Sequence, residues 1–154
     1  MCTGIALPLD ELPTAVIDRH RLRERVYERA GVPELQFHWW HEPAVLPVRL
    51  DGRIAIVRWG SKERRSPLPY GGWVSVEHLE AGLFVLSRPQ RVVIPAALGH
   101  DKGTWFLITE GVRGVVIGSR GGPVAYVLTR PSTNYYRNMT QQSPTMPVLV
   151  DQVI

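Results

Sequence analysis

The sequence predicts an α+β domain: a curved, largely antiparallel sheet or open β-barrel with flanking helices. Three observations carry that expectation. One long helical signal lies near the amino end, opened by Pro13-Thr14 and closed by Gly31 and Pro33. From Pro33 onward the chain breaks into many short runs of apolar and β-branched residues, separated by Asp-Gly, Glu-Gly and Gly-Gly turns. A shorter helical signal and one more strand follow near the carboxyl end. At 154 residues, a single domain spanning 1–154 accommodates them all.

Taken in order, Thr14 is placed to N-cap a helix running from Ala15 to Ala30. Ile17, Leu22, Val26 and Ala30 give it a loose apolar stripe. Arg19, Arg21, Arg23, Arg25 and Arg29 surround that stripe and are partly balanced by Asp18, Glu24 and Glu28. Such a face is either solvated or turned toward phosphate. Next, Val45–Leu50 and Arg53–Trp59 flank Asp51-Gly52, a strong hairpin signal. Gly60 to Gly72 is a long polar loop carrying Lys62, Arg64 and Arg65, long enough to be functional. A short helix is expected in Val74–Ala81, and strands at 83–86, 92–94, 104–109, 112–117 and 124–129. Turns are expected at Gly99–Gly103, Glu110-Gly111 and Arg120–Gly122. Ser132 is placed to cap a helix reaching about Thr140, and residues 147–150 form the last strand.

Hydrophobic content of 44% and charged content of 21% are those of a globular protein. No apolar run is long enough to span a bilayer, and the amino end lacks the basic region of a signal peptide. The lone cysteine, Cys2, offers no disulfide, which suits a cytoplasmic location. The net charge is +4, and Lys62 and Lys102 are the only lysines among 18 basic residues. The other 16 are arginines, which fork onto phosphates and stack on bases; five tryptophans accompany them. The balance fits a nucleic-acid partner, and equally a GC-rich genome.

Cys2 holds the chemical interest. Removal of Met1, favoured by a small second residue, would leave an amino-terminal cysteine with two neighbouring nucleophiles. Its amine has an ordinary pKa of about 7.7–8.0 and its thiol about 8.5. Such a 1,2-aminothiol condenses with an aldehyde: the amine forms a Schiff base and the thiol closes a thiazolidine ring. Other constellations are weaker. His38, His41 and Glu42 flank Trp39-Trp40, but a metal site needs more ligands, and Pro43 denies them a helix. No metal or cofactor is expected. The glycine-rich turns lack a following Lys-Ser/Thr, so they are not phosphate loops. No hydrolytic triad is legible among Ser132, Ser143 and the histidines.

Four ordered segments resemble the SRAP family, the abasic-site processing proteins also labelled SOS-response-associated peptidases. They are Met1-Cys2; Val57-Arg58-Trp59-Gly60 with its following basic loop and the preceding Pro43–Val48; Arg91–Ala96; and Val127-Leu128-Thr129 with Thr145–Leu149. The resemblance covers most of the chain and suggests a divergent, phage-related member. It implies a DNA-repair protein that binds single-stranded or junction DNA and captures the ring-opened aldehyde of an abasic site through Cys2. Arg58, Arg64 and Arg65 would contact phosphates, and Trp59 or Trp73 would stack on bases. The family's proton-handling residues are mostly replaced. Only Glu77 remains of its NARxE segment, where Trp73 stands for Asn and Ser75 for Arg. Its later Glu is missing, with His100 and Asp101 nearby, and the histidine of its HxRMP segment falls on Ser143. Glu77, His100, Asp101 and Ser143 are therefore the candidate proton carriers beside Cys2. The alternative is a degenerate relative that only binds nucleic acid or a protein partner. A peptidase is not expected, and the oligomeric state is open.

Overall fold

The computed structural model describes residues 1–154. Twelve strands and three short helices form two curved sheets. The first sheet contains β1 (Gly4–Pro8), β2 (Val26–Arg29), β3 (Val32–His38), β8 (Leu98–Asp101) and β9 (Thr104–Leu107), in the order β2-β3-β1-β8-β9. All of its pairings are antiparallel. The second sheet contains β4 (Val45–Leu50), β5 (Arg53–Trp59), β7 (Gln90–Ile94), β10 (Val112–Ile117) and β11 (Val124–Pro131). They run β10-β7-β4-β5-β11, and β10 also pairs with β11, so five strands close into a ring. The β5–β11 seam is parallel; β6 (Trp73–Ser75) and β12 (Thr145–Pro147) attach further along β11. The expected α+β class with a curved, mostly antiparallel sheet holds, and closure of the ring removes the exposed edges of those strands.

Strand alternation builds the core. Ile5 and Leu7 of β1, with Leu35 and Phe37 of β3, turn one face of the first sheet onto Leu46, Val48, Val92, Ile94 and Val127 of the ring. A smaller cluster of Val74, Leu79, Val115, Ile117, Tyr126 and Leu128 packs on the ring's other side. Burial of this kind is worth about 1.5–3 kcal/mol per large side chain.

Several expected elements differ. The long helix does not form. α1 is Thr14–Arg19, Arg21 takes a left-handed conformation (φ 54°), and Leu22–Arg25 makes a 3-10 turn before β2 begins. Ile17 and Leu22 are five residues apart, so one helix cannot carry both on one stripe. Breaking the helix buries both, and Ala30-Gly31 with positive φ turns β2 into β3. Residues 83–86 are not a strand. They form an exposed tip around a 3-10 turn, Val85–Ser87, after Gly82 ends α2 (Val76–Glu80). The Gly99–Gly103 turn shrinks to Lys102-Gly103, because Leu98–Asp101 is a strand with little apolar signature. Thr133, not Ser132, caps α3 (Asn134–Met139), its Oγ1 accepting from the Tyr136 amide at 3.1 Å. The Asp51-Gly52 hairpin forms in the expected register.

Gly60 ends β5 at φ 59°, and a Cβ there would collide with the Gly71 carbonyl oxygen. Both the conformation and the close approach demand glycine. Gly60→Ala is expected to destabilise the fold by about 1–3 kcal/mol, a strain-dominated loss. Urea unfolding midpoints check this; an unchanged midpoint would contradict the packing described.

Candidate functional site

The amino end continues the line of β1. The Thr3 amide donates to the His100 carbonyl at 2.8 Å, and the Trp39 amide donates to the Thr3 carbonyl at 2.9 Å. Residues 1–3 are thus fixed between the flanking strands, and Cys2 is 2% exposed within the core cluster. Its thiol donates to the Gly4 carbonyl at 3.2 Å. Burial pushes the thiol up to about 11, opposed by the backbone at His100 and Gly4. The thiol is therefore protonated and held in place while Met1 is present.

Beside it is a polar corner. The Met1 ammonium donates to Ser143 Oγ at 2.6 Å and to Asp101 Oδ1 at 3.3 Å, and lies 3.1 Å from Asp101 Oδ2. Asp101 is 1% exposed, and Ser143 and Tyr136 are fully buried. Ser143 Oγ donates to Asp101 Oδ2 at 2.9 Å, and the Tyr136 hydroxyl donates to the same oxygen at 2.8 Å. Three elements supply this corner: Asp101 ends β8, Tyr136 lies on α3, and Ser143 precedes β12. A buried carboxylate persists when its oxygens are occupied in this way.

A tryptophan cluster covers another side. Trp73 Nε1 donates to the Cys2 carbonyl at 2.8 Å, and the Trp39, Trp59 and Trp73 rings have centroids 5.1–5.7 Å apart. The basic loop is pinned to this cluster. Ser61 and Gly71 exchange backbone hydrogen bonds of 3.0 and 2.7 Å, and Trp59 Nε1 donates to the Gly72 carbonyl at 2.9 Å. A single strand, Gly72 into Trp73, thus connects the loop carrying Lys62, Arg64 and Arg65 to Cys2.

Cys2, Asp101, Ser143 and Trp73 are therefore brought together. Other candidates are not. His100 neighbours Asp101 on a strand, so its ring points to the opposite face. There it packs against Trp105 (4.7 Å between centroids) and His38 (5.6 Å), and only its backbone meets the amino end. Trp59 is 2% exposed, which removes it as a stacking platform; Trp73 is half-buried and Trp40 exposed. Arg58 donates to Ser119 Oγ at 2.9 Å, at the β10–β11 turn. The Arg64 guanidinium lies 4.6 Å from the Tyr70 ring, and Arg65 is exposed. Glu77 is exposed in a cleft of about 540 Å³ shared with Ser75, Arg130 and Pro144. Tyr136, Trp39 and the Met1 amine carry no local sequence signal for this site. No spacing marks Tyr136, since its role depends on α3 packing over the end of β8.

No group of three or more His, Cys, Asp or Glu is placed to hold a metal ion. His38 and His41 are buried on the far side of β1. Burial and neighbouring cationic or imidazole groups hold each down to about 4. Their neutral forms are favoured by folding, so their contribution to stability is complete above the unfolded value of about 6.5 and is lost as pH falls toward 4. The imidazole proton resonances are expected to titrate with midpoints near 4. Midpoints near 6.5 would contradict the burial.

Compared with protein-family models, curated proteins and solved structures, the chain gives no match. No helix is long and apolar enough to cross a membrane.

Proposed function

We propose that, once Met1 is removed, this protein captures aldehydes of abasic sites in single-stranded DNA as a thiazolidine on Cys2. The observation that carries the reading is the placement of residue 2. It lies between a buried carboxylate with attendant hydroxyls and a tryptophan cluster that roots an arginine-bearing loop.

Removal of Met1, which is 45% exposed and whose ammonium is bound by Asp101 and Ser143, uncovers Cys2 and creates a new amine one residue along the chain from those groups. The amine acts first, because ring closure by the thiol needs the iminium carbon that the amine forms. Asp101 takes the ammonium proton, and the amine adds to the aldehyde carbon to give a carbinolamine. A proton returned from Asp101 lets the hydroxyl leave as water, giving the iminium. The thiol sulfur then adds to the iminium carbon, and its proton passes to Asp101. The net change is aldehyde plus aminothiol to thiazolidine plus one water. Lys62, Arg64 and Arg65 supply phosphate contacts, and Trp73 or Trp40 an aromatic face for a base.

The test is a denaturing gel of Met1-processed protein incubated with an abasic single-stranded oligonucleotide. A heat-stable shifted band is expected with the wild type. Its absence, with DNA still bound in a salt-dependent manner, would leave the second reading, a nucleic-acid binder without covalent chemistry.

A further inference from the structure

We infer that Tyr136 is a positioning residue for Asp101: with Ser143 it holds the carboxylate in a fixed orientation at the amino end of the chain. This rests on the capture chemistry proposed above, and it names a residue that none of the resembling segments contains.

The buried hydroxyl donors converge on one carboxylate oxygen of Asp101. Oδ2 accepts from the Tyr136 hydroxyl at 2.8 Å and from Ser143 Oγ at 2.9 Å. The Met1 ammonium lies against both oxygens, 3.3 Å from Oδ1 and 3.1 Å from Oδ2. A buried carboxylate free to rotate would exchange these oxygens. Two donors converging on Oδ2 from α3 and from the segment before β12 fix the plane of the group. Tyr136 is suited to this because it stays a neutral donor. Burial first, then the Cys2 and Asp101 charges and the bond to Asp101, push its phenol far above the ordinary value. Its backbone is fixed as well, since its amide is bound by the Thr133 cap and its carbonyl accepts from the Thr140 hydroxyl at 2.6 Å. Its ring meets Phe106 edge-on at 5.4 Å.

The titratable and charged groups around Asp101 are few. They are the amino-terminal ammonium, the Cys2 thiol, the Tyr136 phenol and the His100 imidazole, which adjoins it along β8. Removing a donor to a carboxylate favours its protonated form. A protonated Asp101 no longer takes the amine's proton, so capture slows on the acid side.

The experiment uses Met1-processed full-length protein, with glycolaldehyde as the small probe and an abasic oligonucleotide as the large one. Capture is followed by intact mass from pH 5 to 9. Tyr136→Phe keeps the ring. It is expected to slow capture of both probes roughly tenfold near neutral pH and to move the acid limb of the rate profile up by about one unit. Ser143→Ala removes the other Oδ2 donor and is expected to move the limb in the same direction. A merely structural Tyr136 would lower the melting temperature and leave the profile in place, and that result overturns the inference. Wild-type capture of glycolaldehyde without capture of abasic DNA would defeat the DNA reading alone; a shifted Tyr136→Phe profile would still stand. A wild type inert to both probes overturns the two together.

Discussion

Cys2→Ala is expected to abolish the stable DNA adduct while leaving an amine that still condenses with the aldehyde. The variant keeps an amino-terminal α-amine, so a Schiff base is expected to form and to reverse by hydrolysis. A band therefore appears only when borohydride is added to reduce the imine. Wild-type protein is expected to give its band without reductant, because sulfur addition would close the ring. The contrast isolates the thiol as the second nucleophile, and no other cysteine can replace it. An alanine in second position is also small enough for methionine removal, so processing is unchanged. The side chain lost is small but packed in the core cluster, and truncating it is expected to cost about 1 kcal/mol. A folded Cys2→Ala protein that still gives a reductant-free band would assign the chemistry elsewhere.

The second large effect falls on Asp101. Asp101→Ala removes the acceptor for the Tyr136 and Ser143 hydroxyls and for the amino-terminal ammonium. The ammonium belongs to an exposed residue and regains water. The two hydroxyls are buried and do not. Leaving them unpaired is expected to destabilise the fold by about 2–5 kcal/mol, a fall of roughly 5–15 °C in Tm for a chain of this size. Asp101→Asn keeps a carbonyl acceptor of the same shape and should recover much of that loss. It is not expected to recover the proposed proton transfer, so slow capture is predicted in a protein that is again stable. Calorimetry and capture rates on the pair separate the structural share of Asp101 from its chemical one. Equal stability of the two variants would mean that the hydroxyls find other partners.

The elements legible in the sequence are those encoded locally. The Asp51-Gly52 hairpin and the strands at 92–94, 112–117 and 124–129 were legible because turn chemistry and β-branched runs coincide there. The helix expected at 15–30 failed because its apolar stripe was counterfeit: Ile17 and Leu22 lie five apart, and pairing of Val26–Arg29 with β3 overrode helical propensity. β1 and β8 are not legible in the sequence because Gly4, Gly99, His100 and Asp101 give little strand signal. They are strands because each lies between partners, and Gly99 makes room for the Phe106 ring. Among the site residues, Cys2 was marked by its position, and Asp101 and Ser143 by alignment with family segments. Tyr136 and Trp39 were invisible because only tertiary packing brings them to the amino end. The His100 ring was misplaced for a local reason: strand alternation separates it from Asp101 next door.

The most direct test is the intact mass of Met1-excised protein after incubation with an abasic single-stranded oligonucleotide, followed by peptide mapping of the adduct. The account predicts one new species equal to protein plus oligonucleotide less one water, with the modification on residue 2. Contradiction would be an unmodified protein, or an adduct mapped to Lys62 or Lys102.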